Sequence, residues 1–184
     1  MNGIFSKEFA VSRIDKGQWK IDTGLANAVL YVAQYYKTAI DLGAGIGRYV
    51  SLLRNAGLVG AIGYDGIEGI GELSGGLVRE EDLTAHSFLC PCADLALCIE
   101  TGEHIPQDKL PVFIRNIAKA ATRSLMVSWA IPKQRGRDHI SCRTPEWVAA
   151  EFGHHGWHID EAMMSKCREI AGKGWDKKLL VFKR

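Results

Sequence analysis

The segment Thr38-Ala-Ile-Asp41-Leu-Gly43-Ala44-Gly45-Ile-Gly47-Arg-Tyr-Val50 determines how the rest of the chain is interpreted. A short β-prone run reaches Asp41, three glycines follow at alternate positions, and an apolar pattern of helical period begins near Ile46. Glycines permit backbone conformations that other residues rarely adopt, and they let a ligand approach the main chain at the start of a helix. The segment therefore predicts a strand, a tight ligand-binding loop and a helix.

The spacing of the glycines separates two kinds of nucleotide-binding loop. Dinucleotide-binding domains use G-x-G-x-x-G, whereas this chain has G-x-G-x-G and places Arg48 where that pattern needs glycine or alanine. The sequence D-L-G-A-G-I-G instead closely resembles the first motif of class I S-adenosylmethionine-dependent methyltransferases. The resemblance implies that Asp41 lies near the ammonium group of S-adenosylmethionine, where a carboxylate can hold a cation. It also implies that the loop contacts the methionine part of this cofactor through Gly43, Ala44, Gly45 and Gly47.

Two further acidic positions follow in the order expected of a nucleotide-binding sheet. Residues 61–65 predict a second strand that ends in Asp65, about 20 residues beyond the glycine turn, where an acid accepts hydrogen bonds from ribose hydroxyls. An Asp-Gly turn is a second interpretation of the same position, and the two are compatible. By family resemblance, Asp82 accepts a hydrogen bond from the adenine amine. The resemblance also implies that Ile67 and Leu83 lie near the adenosine, and the other predicted cofactor contacts are Gly66 and Ile99.

Helical and strand patterns alternate along the chain, and this alternation predicts the fold class. We expect an α/β, doubly wound, mostly parallel seven-stranded sheet of the Rossmann-like methyltransferase type, with an antiparallel terminal hairpin. Residues 1–184 are expected to form a single domain, with residues 1–22 as an N-terminal arm or lid. Helices are predicted at 23–36, 46–57, 108–121 and 144–155, and strands at 38–42, 61–65, 77–83, 93–99, 124–130 and 178–182. Residues 69–76 predict an irregular crossing, and a strand is expected near 159–164, followed by an exposed loop.

Composition limits the classes of partner. The chain has 184 residues with 23 Lys and Arg against 21 Asp and Glu, so it lacks the overall basic field of an indiscriminate nucleic-acid binder. The sequence has no apolar run long enough to cross a bilayer, so no membrane partner is expected. Five cysteines without the spacing of a disulfide framework, and the lack of a signal peptide pattern, predict a reducing, cytoplasmic setting.

The candidate catalytic residues follow the fourth predicted strand and a later loop. Because the carboxyl ends of parallel strands meet at one edge of a sheet, Glu100, Glu103, His104 and His139 are expected to converge beside the cofactor. In one interpretation His104 is a general base for a substrate hydroxyl, oriented by Glu103 or Glu100. In another, all four residues bind a divalent cation, Mg²⁺ or Mn²⁺. The E-x-x-E-H spacing with a later histidine resembles the metal site of small-RNA 3′-terminal 2′-O-methyltransferases. A third interpretation has Glu103 and His104 simply capping the next helix.

The segment 129–147 resembles the corresponding part of small methyltransferase domains associated with glycan-modifying gene sets in bacteria and large DNA viruses. Trp129 or Trp147 would offer a flat apolar face to a sugar, although tryptophans at such positions are also typical core residues. The basic side chains of this segment are candidates for binding a phosphate or sugar-nucleotide, and the other interpretation is a solvated loop; they are Lys133, Arg135, Arg137 and Arg143.

The sequence thus predicts a methyltransferase that uses S-adenosylmethionine and acts on a sugar hydroxyl of a glycan or related small molecule. His104, Glu103 and His139 are its candidate catalytic residues. The first alternative is an RNA ribose 2′-O-methyltransferase with a divalent metal site. The second alternative is a noncatalytic, cofactor-binding subunit.

Overall fold

The computed structural model describes residues 6–17 and 19–184, and helices and strands alternate along most of this part. The elements in chain order are α1 (Lys7–Asp15), α2 (Thr23–Ala33), β1 (Ala39–Leu42), α3 (Arg48–Asn55), β2 (Ile62–Asp65), α4 (Ile70–Leu73), β3 (Val78–Glu80), β4 (Ala93–Ile99), α5 (Leu110–Ala120), β5 (Ala121–Ser128), α6 (Pro145–Gly153), β6 (His158–Ile159), α7 (Glu161–Ala171) and β7 (Leu179–Lys183). Two 3₁₀ turns, Gly102–His104 and Gln107–Lys109, lie between β4 and α5.

The strands form one sheet in the order β3-β2-β1-β4-β5-β7-β6. The first five pair in parallel, whereas β7 is antiparallel to both β5 and β6. The predicted fold class is therefore confirmed. The chain proceeds outward from β1 to β3 and then returns to place β4 on the other side of β1. The strand order thus reverses between β1 and β4, and ligands of open α/β sheets bind at such a position.

The core explains why β4 is almost wholly apolar. Leu95, Ala96, Leu97 and Cys98 are all buried, as expected for a central parallel strand that is covered on both faces. Helices α2, α3 and α7 form one covering layer, and α5 packs with α6 in the other.

The prediction for the C-terminal third was wrong in one respect. The expected strand near 159–164 is limited to β6, and the expected loop after it is largely the helix α7. Asp160 begins this helix by accepting a hydrogen bond from the Met163 N–H at 3.2 Å. A Cβ at Gly24 would overlap the carbonyl oxygen of Ala171, so α7 lies unusually close to α2 and completes its side of the core.

The other local predictions hold with shorter elements. Segment 69–76 is irregular, since α4 has only four residues. The segment 77–83, predicted as the third strand and the acidic turn after it, contains a strand of three residues. The predicted arm contains α1, which Ser6 caps by accepting from the Phe9 N–H, while residues 1–5 and 18 lie outside the described part.

All five cysteines are free thiols. Within residues 6–17 and 19–184, no helix combines the length and apolar character needed to cross a bilayer.

Candidate active site

A cavity of about 1310 Å³ lies at the edge of the sheet where β1, β2 and β4 end. Its walls are the loops after these strands, helix α1, part of the loop 131–143 and Trp175. The cavity is larger than the roughly 300–1,000 Å³ of a typical small-molecule site. It therefore has room for a cofactor together with a second ligand.

The glycine loop forms one wall of the cavity. Gly43, Gly45 and Gly47 all have positive φ angles, of 83°, 52° and 76°. A Cβ at Gly43 would overlap the side chain of Thr101, so the loop packs directly against the segment that follows β4. The indole of Trp19 lies over Gly45, 3.6 Å from the position that a Cβ would occupy there. The loop thus needs glycine both for its conformation and for its close contacts.

Asp65 connects the loop after β1 to the turn after β2. Its carboxylate accepts hydrogen bonds from the N–H groups of Gly45, at 2.8 Å, and Ile67, at 3.1 Å. Burial raises the pKa of Asp65 to about 6, although these backbone N–H groups oppose the rise. Asp65 lines the cavity, so its carboxylate both holds the loop and faces the space for a ligand.

Asp41 lines the same cavity, and one of its two carboxylate oxygens lacks a hydrogen-bond partner among the described residues. Its side chain is buried, and Oδ2 has no hydrogen-bond partner among the residues that the structure describes. Burial, and secondarily the charge of Asp65, raises the pKa of Asp41 to about 7. Such a carboxylate is stabilised in its ionised form when a cation binds beside it.

The remaining predicted cofactor residues lie around the same space. Asp82 is exposed, and its Oδ1 accepts from the backbone N–H and the hydroxyl of Thr84. Gly47 is the exception to the predicted set, because it is buried against Leu77 and begins α3 without lining the cavity. The predicted residues that do line it are Asp41, Gly43, Ala44, Gly45, Asp65, Gly66, Ile67, Asp82, Leu83 and Ile99.

Glu103, His104 and His139 form a compact cluster after β4 and in the loop 131–143. One possible ligand atom from each residue lies within 4.8 Å of the others, and the two imidazole rings are 5.1 Å apart. The backbone carbonyl of Glu103 explains how distant residues meet. It accepts from the N–H groups of Ile140 and Ser141, each at 2.9 Å, and so fastens the loop 131–143 to the turn after β4.

The hydrogen bonds of both histidines fix which ring nitrogen is free. His104 Nδ1 lies 3.1 Å from the carbonyl oxygen of Asp138, and His139 Nδ1 lies 3.3 Å from that of Gln134. Because a carbonyl oxygen can only accept, each Nδ1 carries a proton, and the neutral form of the His104 ring keeps its lone pair on Nε2. Burial lowers the pKa of His104, with a smaller contribution from His139. His104 is therefore a neutral imidazole that can accept a proton or bind a metal through Nε2.

Glu103 is fully buried, and neither carboxylate oxygen has a hydrogen-bond partner in the described part of the chain. Burial and the negative charge of Glu100 raise the pKa of Glu103 above its usual range. Glu103 does not line the cavity, whereas His104 and His139 do. The carboxylate thus belongs to the inner side of the cluster.

The structure does not bring Glu100 into this cluster. Its φ of 51° lies outside the right-handed helical region, so Glu100, Glu103 and His104 do not share one face of a helical turn. The Glu100 carboxylate instead accepts from the Ser128 hydroxyl at 2.9 Å and from Lys178 Nζ at 2.6 Å. Lys178 in turn lies 4.3 Å from the ring centre of Trp175. The predicted four-residue metal set is therefore reduced to three residues.

The tryptophans of segment 129–147 do not offer a face to this cavity. Trp129 is buried, and its indole N–H donates to the carbonyl oxygen of Ser141 at 2.7 Å. Trp147 packs at right angles to it and carries Arg143 over its ring at 4.9 Å. Neither tryptophan lines the cavity, so the core interpretation holds for Trp129 and the sugar-stacking expectation finds no contact for either.

Among the four basic residues singled out in the sequence, only Arg137 lines the cavity. Sequence reasoning missed Arg13 and Lys109, which also line it, because nothing local marks an arm residue or a 3₁₀ turn as part of a site. The aromatic lining residues Phe9, Trp19 and Trp175 were missed for the same reason.

No protein-family model matches the sequence, and no curated protein does. The structure is nevertheless similar to several solved methyltransferases. An O-methyltransferase family protein from Burkholderia thailandensis has 15% identity and a TM-score of 0.66, and the match covers 98% of this chain and 63% of that one. The sugar N-methyltransferase KedS8 from a Streptoalloteichus species has 13% identity and a TM-score of 0.74 over 95% of this chain and 92% of that one.

A third similar structure is magnesium protoporphyrin IX methyltransferase from Synechocystis, which was solved with bound S-adenosylmethionine. It has 19% identity and a TM-score of 0.64, and the match covers 98% of this chain and 93% of that one. This chain spans 63% of the length of the Burkholderia protein and nearly all of the other two. It therefore has the fold of class I S-adenosylmethionine-dependent methyltransferases.

Proposed function

We propose that this protein transfers a methyl group from S-adenosylmethionine to a hydroxyl group, and that the acceptor is a sugar of a glycan or a related small molecule. The observation that carries the first part is the buried, unpartnered Oδ2 of Asp41 in the cavity beside the glycine loop. A cation bound beside this carboxylate would stabilise its ionised form, and S-adenosylmethionine carries an ammonium group on its methionine part.

The other residues around the cavity fit the remaining parts of this cofactor. Gly43 and Gly45 line the cavity, so the methionine chain can lie against their main chain. Asp65 has carboxylate lone pairs beyond those used by Gly45 and Ile67, and these can accept from ribose hydroxyls. Asp82 and the buried Leu83 suit the adenine, through its amine and its flat ring. When bound, the cofactor supplies an electrophilic methyl group.

His104 is the proposed general base. Its Nε2 is free of a proton, so it can take the proton that the acceptor hydroxyl loses as the new carbon–oxygen bond forms. The hydrogen bond from Nδ1 to Asp138 fixes the orientation of the ring. His139, at 5.1 Å, limits how the ring can move and forms part of the same wall. The walls otherwise position the acceptor and exclude water.

Support for a sugar acceptor comes from two sources. Segment 129–147 resembles that of glycan-associated methyltransferase domains, and its residue Arg137 lines the cavity. One structurally similar protein, KedS8, is described as a sugar N-methyltransferase. The size of the cavity is compatible with a sugar beside the cofactor.

A second candidate function is metal-assisted methylation of a ribose 2′-hydroxyl of RNA. The observation that favours it is the cluster of Glu103, His104 and His139, in which one possible ligand atom from each residue lies within 4.8 Å of the others. Two imidazoles make this set better suited to Mn²⁺ than to Mg²⁺, which prefers oxygen ligands. A bound cation would also give the buried Glu103 carboxylate the partner that it lacks among the described residues.

Calorimetric titration with S-adenosylhomocysteine tests the proposal, first after chelator treatment and then with added Mn²⁺. Binding without metal, followed by chelator-resistant methylation of glycans, supports a sugar methyltransferase with His104 as base. Methylation of RNA ends that depends on Mn²⁺ favours the second candidate. Cofactor binding without transfer to either class would favour a noncatalytic subunit, and no binding at all would contradict both functions.

A further inference from the structure

We propose that the acceptor carries an anionic group, either a phosphate or a carboxylate, and that Arg13 and Arg137 bind it at the cavity wall formed by α1 and the loop 131–143. This inference rests on the proposed methyltransferase function and names a property of its acceptor. It concerns residues other than those that hold the cofactor or act as the base.

The two arginines meet around one aromatic ring. The guanidinium carbon of Arg13 lies 5.7 Å from the ring centre of Phe9, and that of Arg137 lies 5.1 Å from the same centre. Both side chains line the cavity, as does Phe9. Two cations that share one ring, on segments more than 120 residues apart, create a local positive charge that an anion would neutralise.

Arg13 has unused hydrogen-bonding capacity at this place. Its Nε is buried and has no hydrogen-bond partner in the part of the chain that the structure describes. Arg13 also forms no ion pair with any residue of that part. A buried N–H donor without an acceptor is costly, and the planar guanidinium fork matches the paired oxygens of a phosphate or carboxylate.

Arg137 is held only weakly by its own neighbour. Its single ion pair within residues 6–17 and 19–184 is with Asp138, at 3.5 Å. The two side chains are 74% and 44% exposed, so this contact contributes little and can be exchanged for a ligand. Arg137 also precedes His139 by two residues in a loop that is fastened to Glu103. An anion at Arg137 would therefore place a nearby hydroxyl beside the proposed base.

Acidic and basic side chains both line the cavity, and the residues proposed for the cofactor come from other elements than those proposed for the acceptor. The acids at the proposed cofactor positions, Asp41, Asp65 and Asp82, belong to or follow the strands β1 to β3. Arg13, Lys109 and Arg137 come from α1, the second 3₁₀ turn and the loop 131–143. Basic residues also lie near the acids, since Arg48 follows the glycine loop and Lys20 is close to Asp22 in the chain. The proposal of an anionic acceptor therefore rests on Arg13 and Arg137 themselves.

The test uses the full chain saturated with S-adenosylhomocysteine and titrated with inorganic phosphate, glucose 6-phosphate, glucuronate and glucose. We expect inorganic phosphate to bind and at least one of the two charged sugars to bind about tenfold or more tightly than glucose. The two charged sugars distinguish a phosphate from a carboxylate. Arg13→Gln and Arg137→Gln should each weaken anion binding about tenfold, whereas Arg143→Gln, whose side chain lies on Trp147 outside the cavity, should not.

Three results would overturn the inference. Equal binding of glucose and both charged sugars would remove the preference for an anion, and unchanged phosphate binding in both glutamine variants would remove the role of the arginines. A loss of S-adenosylhomocysteine affinity in either variant would assign that arginine to the carboxylate of the cofactor instead. These results can be distinguished from a failure of the proposed methyltransferase function, in which the unaltered protein would not bind S-adenosylhomocysteine at all.

Discussion

The carboxylate of Asp65, at the end of β2, accepts a hydrogen bond from the backbone N–H of Gly45, in the loop after β1, at 2.8 Å. The same carboxylate accepts from Ile67, so one side chain holds two of the loops that enclose the cavity. The sequence predicts Asp65 as a ligand for ribose hydroxyls. The structure adds that this residue also organises the glycine loop.

Replacing Asp65 therefore removes both a ligand contact and a support of the glycine loop. In Asp65→Asn one of the two oxygens becomes an N–H₂ group that cannot accept from Gly45 or Ile67. We expect the affinity for S-adenosylhomocysteine to fall at least tenfold in this variant, and Asp65→Ala to abolish detectable binding. Calorimetry checks this, with the exposed Asp108→Asn as a matched control. Micromolar affinity retained by Asp65→Ala would contradict the ribose assignment.

Cofactor affinity should depend on the ionisation of Asp41. With a pKa of about 7 in the free protein, Asp41 is mostly protonated below that pH and cannot then pair with an ammonium group. We expect affinity for S-adenosylhomocysteine to rise by up to tenfold per pH unit as pH increases toward 7, and to level off above it. Titrations between pH 5 and pH 9 measure this dependence. Asp41→Asn should bind weakly and keep only the dependence due to Asp65, whose pKa is about 6. An equally steep profile up to pH 7 in that variant would refute the assignment.

The raised pKa of Asp41 also affects stability, and here the effect is opposite to that on cofactor affinity, because it weakens the folded state as pH rises. A carboxyl group whose pKa is raised on folding favours the folded state most at low pH, and that contribution is lost as pH rises through about 7. Asp41→Asn removes the cost of burying the ionised group. We therefore expect it to raise the free energy of unfolding by more than about 1 kcal/mol at pH 8, and by less at pH 5. Denaturant unfolding without ligand checks both values, and a variant less stable at pH 8 would contradict the burial argument.

The glycine loop and its acids could be predicted because their signals are local. Asp41, the alternating glycines and Asp65 each lie at the end of a short apolar strand, and parallel strands bring their carboxyl ends to one edge. Helix α7 also had a local signal that the sequence analysis did not use. Asp160 is a capping residue, and Met164, Cys167 and Ala171 recur at helical spacing.

The contacts that change the site could not be predicted in this way, since they join residues far apart in sequence. Lys178 reaches Glu100 only because β7 returns antiparallel to β5, and β5 is the strand next to β4. Arg13 reaches Arg137 through the ring of Phe9, and neither the arm nor the loop has a pattern that indicates the other. Such pairs depend on the complete tertiary structure and not on the sequence around either residue.

The different surroundings of Glu100 and Glu103 predict different effects on metal binding. The Glu100 carboxylate accepts hydrogen bonds from Ser128 and Lys178, whereas both carboxylate oxygens of Glu103 lack a hydrogen-bond partner in the described part of the chain. If the cluster binds Mn²⁺, Glu103→Gln should weaken binding about tenfold or more and Glu100→Gln should change it little. Titration of chelator-treated protein with Mn²⁺, followed by electron paramagnetic resonance, measures both variants. An equal loss of Mn²⁺ affinity in both variants would indicate that Glu100 is also a metal ligand.

Turnover should depend on His104 far more than cofactor binding does. His104→Ala removes the Nε2 lone pair, so we expect turnover to fall about a hundredfold or more while affinity for S-adenosylhomocysteine is unchanged. The exposed His154→Ala is the matched control.

Because burial lowers the pKa of His104 below its usual 6.5, turnover at saturating cofactor should decline only as pH falls below that value. In His104→Ala this acid limb should disappear from the residual rate. Near-normal turnover of the variant would end the role of His104 as base, whereas loss of Mn²⁺ binding together with turnover would make His104 a metal ligand in the second candidate function.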